Sequence, residues 1–162
     1  LFLNTNAALA TYTGINAVTS STIRVKSSTT AQNGDTFVAY AFAEKQGYSK
    51  FGKYVGNGNA NGPFVYTGFK PAFVMLKRTN TTSNWIIMDS KRNAFNEMET
   101  RLFPNLADAE QTQSTYGLDF LSNGFKLRDT VSQSNGSGST YIYMAFAENP
   151  FTTSTGIPTT AR

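Results

Sequence analysis

The chain has 162 residues with no cysteine and no histidine, and its 14 basic and 10 acidic residues leave a net charge of +4. Without histidine the usual base of Ser–His–Asp and Cys–His catalysis is missing, and without either residue type disulfides, iron–sulfur clusters and tetrahedral zinc are excluded. Threonine, serine and asparagine together supply 51 residues, which indicates many turns and polar, outward strand faces.

Short stretches rich in valine, isoleucine, phenylalanine and tyrosine follow one another along the chain and predict β-strands. They lie at residues 22–26, 37–44, 64–67, 73–78, 85–89, 119–121, 125–128 and 141–148. Turn residues separate them, such as the Asn-Gly pair at residues 123–124. Helix is sparse, with short helical turns predicted at residues 90–98 and 105–111. This pattern predicts an all-β fold, an antiparallel β-sandwich or jelly roll.

The sequence also repeats itself. Residues 34–44 (GDTFVAYAFAE) return as residues 138–148 (GSTYIYMAFAE), with six identities and no gap. Upstream, residues 23–26 match 125–128, and Leu1-Phe2-x-Asn4 matches Leu102-Phe103-x-Asn105. Three collinear matches at offsets of 101 to 104 indicate a duplicated domain of roughly 100 residues rather than a chance likeness of two strands.

The repeat predicts how the chain is divided. Residues 1–47 are expected to be the C-terminal half of a preceding unit, residues 48–148 a complete sandwich unit, and residues 149–162 an extended tail. A half unit alone leaves strands without partners and an apolar face uncovered. We therefore expect preceding residues, the full unit or another subunit to complete it.

Several motifs resemble a tandem repeat domain found near the C terminus of virion proteins of tailed phages that infect marine bacteria. The resemblance covers essentially the whole chain, and its motifs are residues 48–58, 66–78, 84–89, 121–125, 140–148 and 156–162. It implies a lectin-like β-sandwich at the virion surface, assembled in the host cytoplasm, and it supplies no catalytic residues. The function expected from it is that of a virion structural protein, the C-terminal part of a tail-fibre-type host-attachment component. The alternatives are a capsid or neck decoration protein and a module that binds or hydrolyses surface polysaccharide.

Carbohydrate sites combine aromatic rings with planar amides, and two loops offer both. The candidate residues are Tyr54, Asn57, Asn59 and Asn61 in the first loop, and Asn80 and Asn84 in the turn before Trp85. The alternative is that the amides only form tight β-turns and that Trp85 belongs to the core.

A glycosidase would need two carboxyl groups about 5 to 10 Å apart. The densest acidic residues are Asp89, Glu97, Glu99, Asp108 and Glu110, in polar and solvated turns. We therefore predict a protein that is not an enzyme, with no metal site and no cofactor. The glutamates that close the two repeat motifs, Glu44 and Glu148, are predicted to have a structural role, pairing with a cation or ending a strand.

The partners follow from charge and hydropathy. The basic residues are scattered and form no stripe, which argues against nucleic acid. No apolar stretch reaches the ~20 residues of a membrane span, which argues against membrane insertion. The expected partners are other copies of the chain, for example in a trimer, other virion proteins and a bacterial surface glycan.

Overall fold

The computed structural model describes residues 1–11, 14–26, 34, 36–93 and 95–149. The chain forms two compact units, one of Leu1–Leu9 with the chain from Ala43 onwards, the other of Ala10–Phe42. The division into repeat units stays a prediction. The predicted tail lies outside the described residues except for Asn149. No helix in the described ranges is long and apolar enough to cross a membrane.

The fold is all-β, as predicted, with eleven strands and one short helix in the part of the chain that the structure describes. The strands are β1 (Ile15–Val18), β2 (Ile23–Val25), β3 (Ser49–Val55), β4 (Phe64–Tyr66), β5 (Pro71–Arg78), β6 (Trp85–Asp89), β7 (Thr100–Arg101), β8 (Gln111–Thr112), β9 (Leu118–Leu121), β10 (Gly124–Leu127) and β11 (Thr140–Ala147), and the helix is α1 (Ser132–Asn135).

Two antiparallel sheets make the sandwich of the larger unit. The four-stranded sheet has the order β3-β11-β5-β6, and the three-stranded sheet has the order β4-β10-β9. Alternate side chains of each strand point inward, since the side-chain period of a strand is two residues. The resulting core contains Tyr54, Val74, Leu76, Ile86, Met88, Leu118, Phe120, Phe125, Leu127, Tyr141, Tyr143 and Ala145, among others.

Strand β11 is the central element of the four-stranded sheet. It pairs with β3 along one side and with β5 along the other. Its residues Tyr141, Tyr143 and Ala145 are buried. Tyr141 stacks on Tyr54 with ring centroids 4.9 Å apart, and its hydroxyl donates to the Ser132 carbonyl at 2.6 Å. This strand therefore ties the sheet to α1.

The predicted strand at residues 37–44 is wrong. Residues 36–44, all of which the structure describes, form no strand, and Val38 and Tyr40 are 77 % and 85 % exposed. The equivalent residues 140–147, by contrast, pair with β3 along one side and with β5 along the other. Strand propensity alone does not form a strand without hydrogen-bonding partners.

The two predicted helical turns are also wrong. The described residues of 90–98 form turns and bends, and residues 105–111 form no helix. Both stretches instead connect strands and are held by side-chain hydrogen bonds, such as the Asn105 Oδ1 that accepts from the Trp85 amide at 2.9 Å. This bond attaches Asn105 to the start of β6 instead of to the first turn of a helix.

The same turn hydrogen bond occurs near the N terminus and 101 residues further along the chain. The Thr5 amide donates to the Phe2 carbonyl at 3.4 Å, and the Leu106 amide donates to the Phe103 carbonyl at 3.0 Å. The two turns are equivalent at the offset of 101 residues found in the sequence. Phe2 also accepts a hydrogen bond from Nε1 of Trp85 at 3.0 Å, which anchors the N-terminal segment on the larger unit.

A buried ion pair between Arg101 and Asp129 joins β7 to the segment before α1. Both side chains are fully buried, the Arg101 guanidinium lies 4.0 Å from the centre of the Tyr116 ring, and the Ser134 hydroxyl donates to Asp129 at 2.8 Å. A charge buried in this way needs its partner, because an isolated buried charge is strongly destabilising. The pair therefore orients α1 and the loops around it.

Candidate functional site

The structure places Tyr54, one of the predicted sugar-binding residues, in the core. It is 7 % exposed, its ring stacks on Tyr141, and its hydroxyl donates to the Ser134 carbonyl at 2.7 Å. Burial raises its pKa well above the ordinary tyrosine value. The ring is therefore engaged in packing between β3 and β11.

The asparagines of the following loop hold the loop itself. Asn57 Oδ1 accepts from the Asn59 amide at 3.0 Å, and Asn59 Oδ1 accepts from the Asn61 amide at 2.8 Å. Asn57 Nδ2 donates to the Asn61 carbonyl at 3.0 Å, and Lys126 Nζ donates to Asn61 Oδ1 at 2.7 Å. These are the turn-forming bonds typical of asparagine.

Asn80 and Asn84 are engaged in the same manner. Arg78 Nε donates to Asn80 Oδ1 at 3.1 Å, and Asn105 Nδ2 donates to Asn84 Oδ1 at 2.9 Å. None of the six residues lines the polar cleft or the apolar groove described below. Sugar binding by any of the six residues stays a prediction.

Three of the acidic residues considered for hydrolysis lie in surface ion pairs. Arg92 Nε contacts Asp89 at 2.6 Å, Arg92 also pairs with Glu110, and Arg128 Nε lies 3.3 Å from Glu97. These contacts give the three carboxylates a role in holding surface loops in place.

The glutamates that end the two repeat motifs both pair with lysine, as predicted. Glu44 lies 2.9 Å from Lys50 Nζ, and Glu148 lies 2.7 Å from Lys70 Nζ. The hydrogen bond from Lys50 lowers the pKa of Glu44, with a further contribution from the Phe51 amide. Each pair fixes the chain at the end of its repeat motif.

A polar cleft lies where the segment after β6 passes the end of β11. Its volume is about 330 Å³, and its lining includes Lys70, Ser90, Lys91, Asn93, Phe95, Asn96, Met98, Phe120 and Glu148. Four parts of the chain that are distant in sequence thus meet at one site.

Main-chain hydrogen bonds and the side-chain amide of Asn96 position the walls of the cleft. The Ser90 amide donates to the Ala72 carbonyl at 2.8 Å, and the Glu148 amide donates to the Lys70 carbonyl at 2.9 Å. Asn96 bonds to Phe120 in both directions, donating to its carbonyl and accepting from its amide, each at 3.0 Å. The segment of residues 90–98 is therefore fastened to both sheets.

The polar groups left for a ligand are mostly donors. Asn93 Oδ1 accepts from the Thr100 amide at 3.2 Å, which leaves its Nδ2 for other partners. The Ser90 hydroxyl is buried and has no hydrogen-bond partner among the described residues. Lys91 makes no ion pair within the same described ranges. A buried hydroxyl without a partner is costly, so a ligand that bonds to it gains that energy.

An exposed aromatic ring lies beside these donors. Phe95 is 84 % exposed, whereas Met98 and Phe120 in the same lining are 1 % and 5 % exposed. An exposed ring beside planar amides, over an apolar base, is the combination that a sugar ring uses for stacking and hydrogen bonding.

A second groove lies on the four-stranded sheet and has a different chemistry. Its volume is about 280 Å³, and it is lined by Phe51, Gly52, Met75, Trp85, Ile142, Tyr143 and Met144. Few polar groups line it, so it cannot supply the hydrogen bonds that a sugar requires. The polar cleft is therefore the better candidate site.

The cleft has no clear signal in the sequence, because the pattern of residues 90–98 predicts a helical turn. A weaker signal is the order Lys91-Arg92-Asn93-Ala94-Phe95-Asn96, which places an aromatic residue between two amides outside any strand pattern. Loops held on a rigid scaffold are where binding residues concentrate.

Comparisons with curated proteins and with solved structures gave no match. A family model described as a domain of unknown function, DUF7483, matches residues 1–150 and thus includes both copies of the internal repeat. The chain belongs to the DUF7483 family.

Proposed function

We propose that this protein is a virion structural protein of a tailed phage, the C-terminal part of a tail-fibre-type attachment component, and that its polar cleft binds a glycan on the bacterial surface. The observation that carries the glycan-binding part is the exposed Phe95 ring beside the donors of the cleft. The virion assignment is supported by the sequence resemblance to marine phage repeat domains.

The chemistry of the cleft favours binding over cleavage. The carboxylate that lines it, Glu148, is held by Lys70 at 2.7 Å. A glycosidase requires a second carboxyl group across the sugar, and the described lining has no second one. Single-site affinity for a sugar in a shallow cleft is weak, and many copies on one particle raise it through multivalency.

Self-association is the second part of the proposal. Val38, Tyr40 and Phe42 are 77 %, 85 % and 59 % exposed along one short segment. An exposed apolar cluster of this kind typically marks a protein interface. We expect a homo-oligomer, and native mass spectrometry at micromolar concentration should detect it; a stable monomer would count against this part.

A Phe95→Ala variant tests the cleft. Loss of a stacking ring should weaken binding to polysaccharide purified from the host bacterium about tenfold, which corresponds to ~1.4 kcal/mol. Tyr66→Ala is the matched control, because Tyr66 is 64 % exposed on β4 and does not line the cleft. Equal binding by Phe95→Ala and the unmodified chain would contradict the proposed site.

The location of the chain in the particle tests the virion assignment. A map of the virion should place it on the tail in threes or sixes if it belongs to a fibre. Hundreds of copies on the shell would instead identify a decoration protein, and absence from the particle would overturn the assignment.

A further inference from the structure

We infer that the cleft selects an acidic sugar, a hexuronic acid residue whose carboxylate is bound by Lys91 with Asn93 and Ser90. This inference rests on the proposed glycan-binding function and deepens it by naming the ligand class. It comes from the hydrogen-bonding and charge balance of the cleft lining.

The side-chain amide oxygens of the cleft are already used by the protein. Asn96 bonds to the Phe120 backbone through both its oxygen and its nitrogen, and Asn93 accepts from the Thr100 amide through its oxygen. Glu148 is held by Lys70, and the donors left for a ligand are the Asn93 Nδ2, the Lys91 ammonium and the buried Ser90 hydroxyl. A neutral sugar presents hydroxyls that both donate and accept, whereas a carboxylate only accepts. A surplus of donors therefore matches a carboxylate.

The charges of the cleft lining also favour an anionic ligand. Lys70 is neutralised by Glu148. Lys91 is the one cation of the described lining without an acidic partner, so the charged lining residues Lys70, Lys91 and Glu148 leave one net positive charge. The neighbouring Arg92 is held outside the lining by Asp89 and Glu110. An anionic ligand would neutralise the Lys91 charge through a charge-assisted hydrogen bond, which is stronger than a neutral one.

The dimensions allow one sugar to use both the ring and the charge. Lys91 and Phe95 line the same cleft, four residues apart in the segment after β6. The volume of about 330 Å³ is at the small end of the range for ligand sites, about 300–1,000 Å³, and suits one or two sugar residues. The Phe95 ring stacks on the sugar ring, and the Lys91 ammonium binds the carboxylate of the sugar.

The test compares two oligosaccharides that differ only at C6. α-1,4-Linked galacturonate oligomers carry a carboxylate there, and α-1,4-linked galactose oligomers carry a hydroxymethyl group. Titration calorimetry on the full chain should show the acidic oligomer binding about tenfold more tightly at low salt, with the preference reduced at high salt.

Lys91→Met should remove that preference, because it should lower affinity for the galacturonate oligomer about tenfold more than it lowers affinity for the galactose oligomer. Lys53→Met is the matched control, because it removes the same charge from an exposed position of β3 outside the cleft. Both lysines are on the surface, so thermal unfolding should be unaffected and will verify that the variants are folded.

The outcomes separate the two proposals. If both oligomers bind equally, or Lys91→Met and Lys53→Met have the same effect, the acidic-sugar inference is overturned while glycan binding stands. If the galacturonate oligomer does not bind at all but host polysaccharide does, and Phe95→Ala weakens it, the inference alone is again overturned. If Phe95→Ala changes binding to none of these ligands, the proposed function itself fails.

Discussion

The two copies of the repeat motif have the same sequence pattern and different structures. Residues 140–147 form β11, a central strand with partners on both sides, while residues 36–44 form no strand. Tyr141 is fully buried, and its counterpart Phe37 is 51 % exposed. Because six of eleven residues are identical, local propensity cannot account for the difference. The flanking strands β3 and β5 account for it.

The glutamates that end the two repeat motifs also differ in their surroundings. Both motifs end in a glutamate paired with a lysine, and Glu148 lines the polar cleft together with the segment after β6 and Phe120 of β9. Glu44 is not part of that lining and pairs with Lys50, six residues further along the chain.

The largest expected difference between the copies is in stability. Tyr141→Ala removes the stacking on Tyr54 and the hydrogen bond to Ser132 and should lower the free energy of unfolding by about 3–5 kcal/mol. Phe37→Ala, at the equivalent position, should lower it by less than about 0.5 kcal/mol. Urea denaturation of dilute protein measures both. Equal losses would mean that residues 36–44 form a paired strand in solution.

A smaller difference in the free energy of unfolding is expected when leucine replaces an alanine in each of the two repeat motifs. Ala145 is fully buried on the inner face of β11, whereas its counterpart Ala41 is exposed. Ala145→Leu should cost about 1–3 kcal/mol because the core has no room for the added atoms. Ala41→Leu should be close to neutral in the same denaturation experiment. A neutral Ala145→Leu would contradict the packing of the two sheets described above.

The smallest expected change in stability is the one caused by substituting Glu44. Its pKa is lowered below the ordinary value of 4.5, chiefly by the hydrogen bond from Lys50. The pair therefore stabilises the folded state above about pH 4.5, and this contribution is lost as the pH falls through the lower folded-state pKa. Glu44→Gln should show a small decrease in Tm at neutral pH that disappears in acid and in high salt. A decrease that persists in acid would contradict the ion-pair explanation.

The sandwich could be predicted from the sequence, because alternating apolar residues and Asn-Gly turns are local signals. Strand β11 is one example, and the hairpin between β9 and β10 is another, although its two-residue turn lies at residues 122–123 and Gly124 already pairs with Leu121. The absence of a strand at residues 36–44 depends on partners, which no local pattern contains.

The cleft could not be predicted, because it depends on contacts between distant parts of the chain. Lys70, Ser90, Phe120 and Glu148 meet only when both sheets are complete. The packing role of Tyr54 could not be predicted either. A tyrosine beside a Gly-Asn loop has the same sequence pattern whether its ring contacts a ligand or stacks on Tyr141. Sugar binding, at the predicted loops or at the cleft, stays a prediction.

An acidic glycan that binds in the polar cleft should change the environment of the amides that line it. An NMR titration of the isotope-labelled full chain with the galacturonate oligomer measures this change. We predict shift changes at the amides of Asn93, Phe95 and Glu148, with the Glu44 amide, the repeat equivalent of Glu148, unchanged. Changes centred on Asn57, Asn59 and Asn61, or no changes at millimolar ligand, would contradict the account.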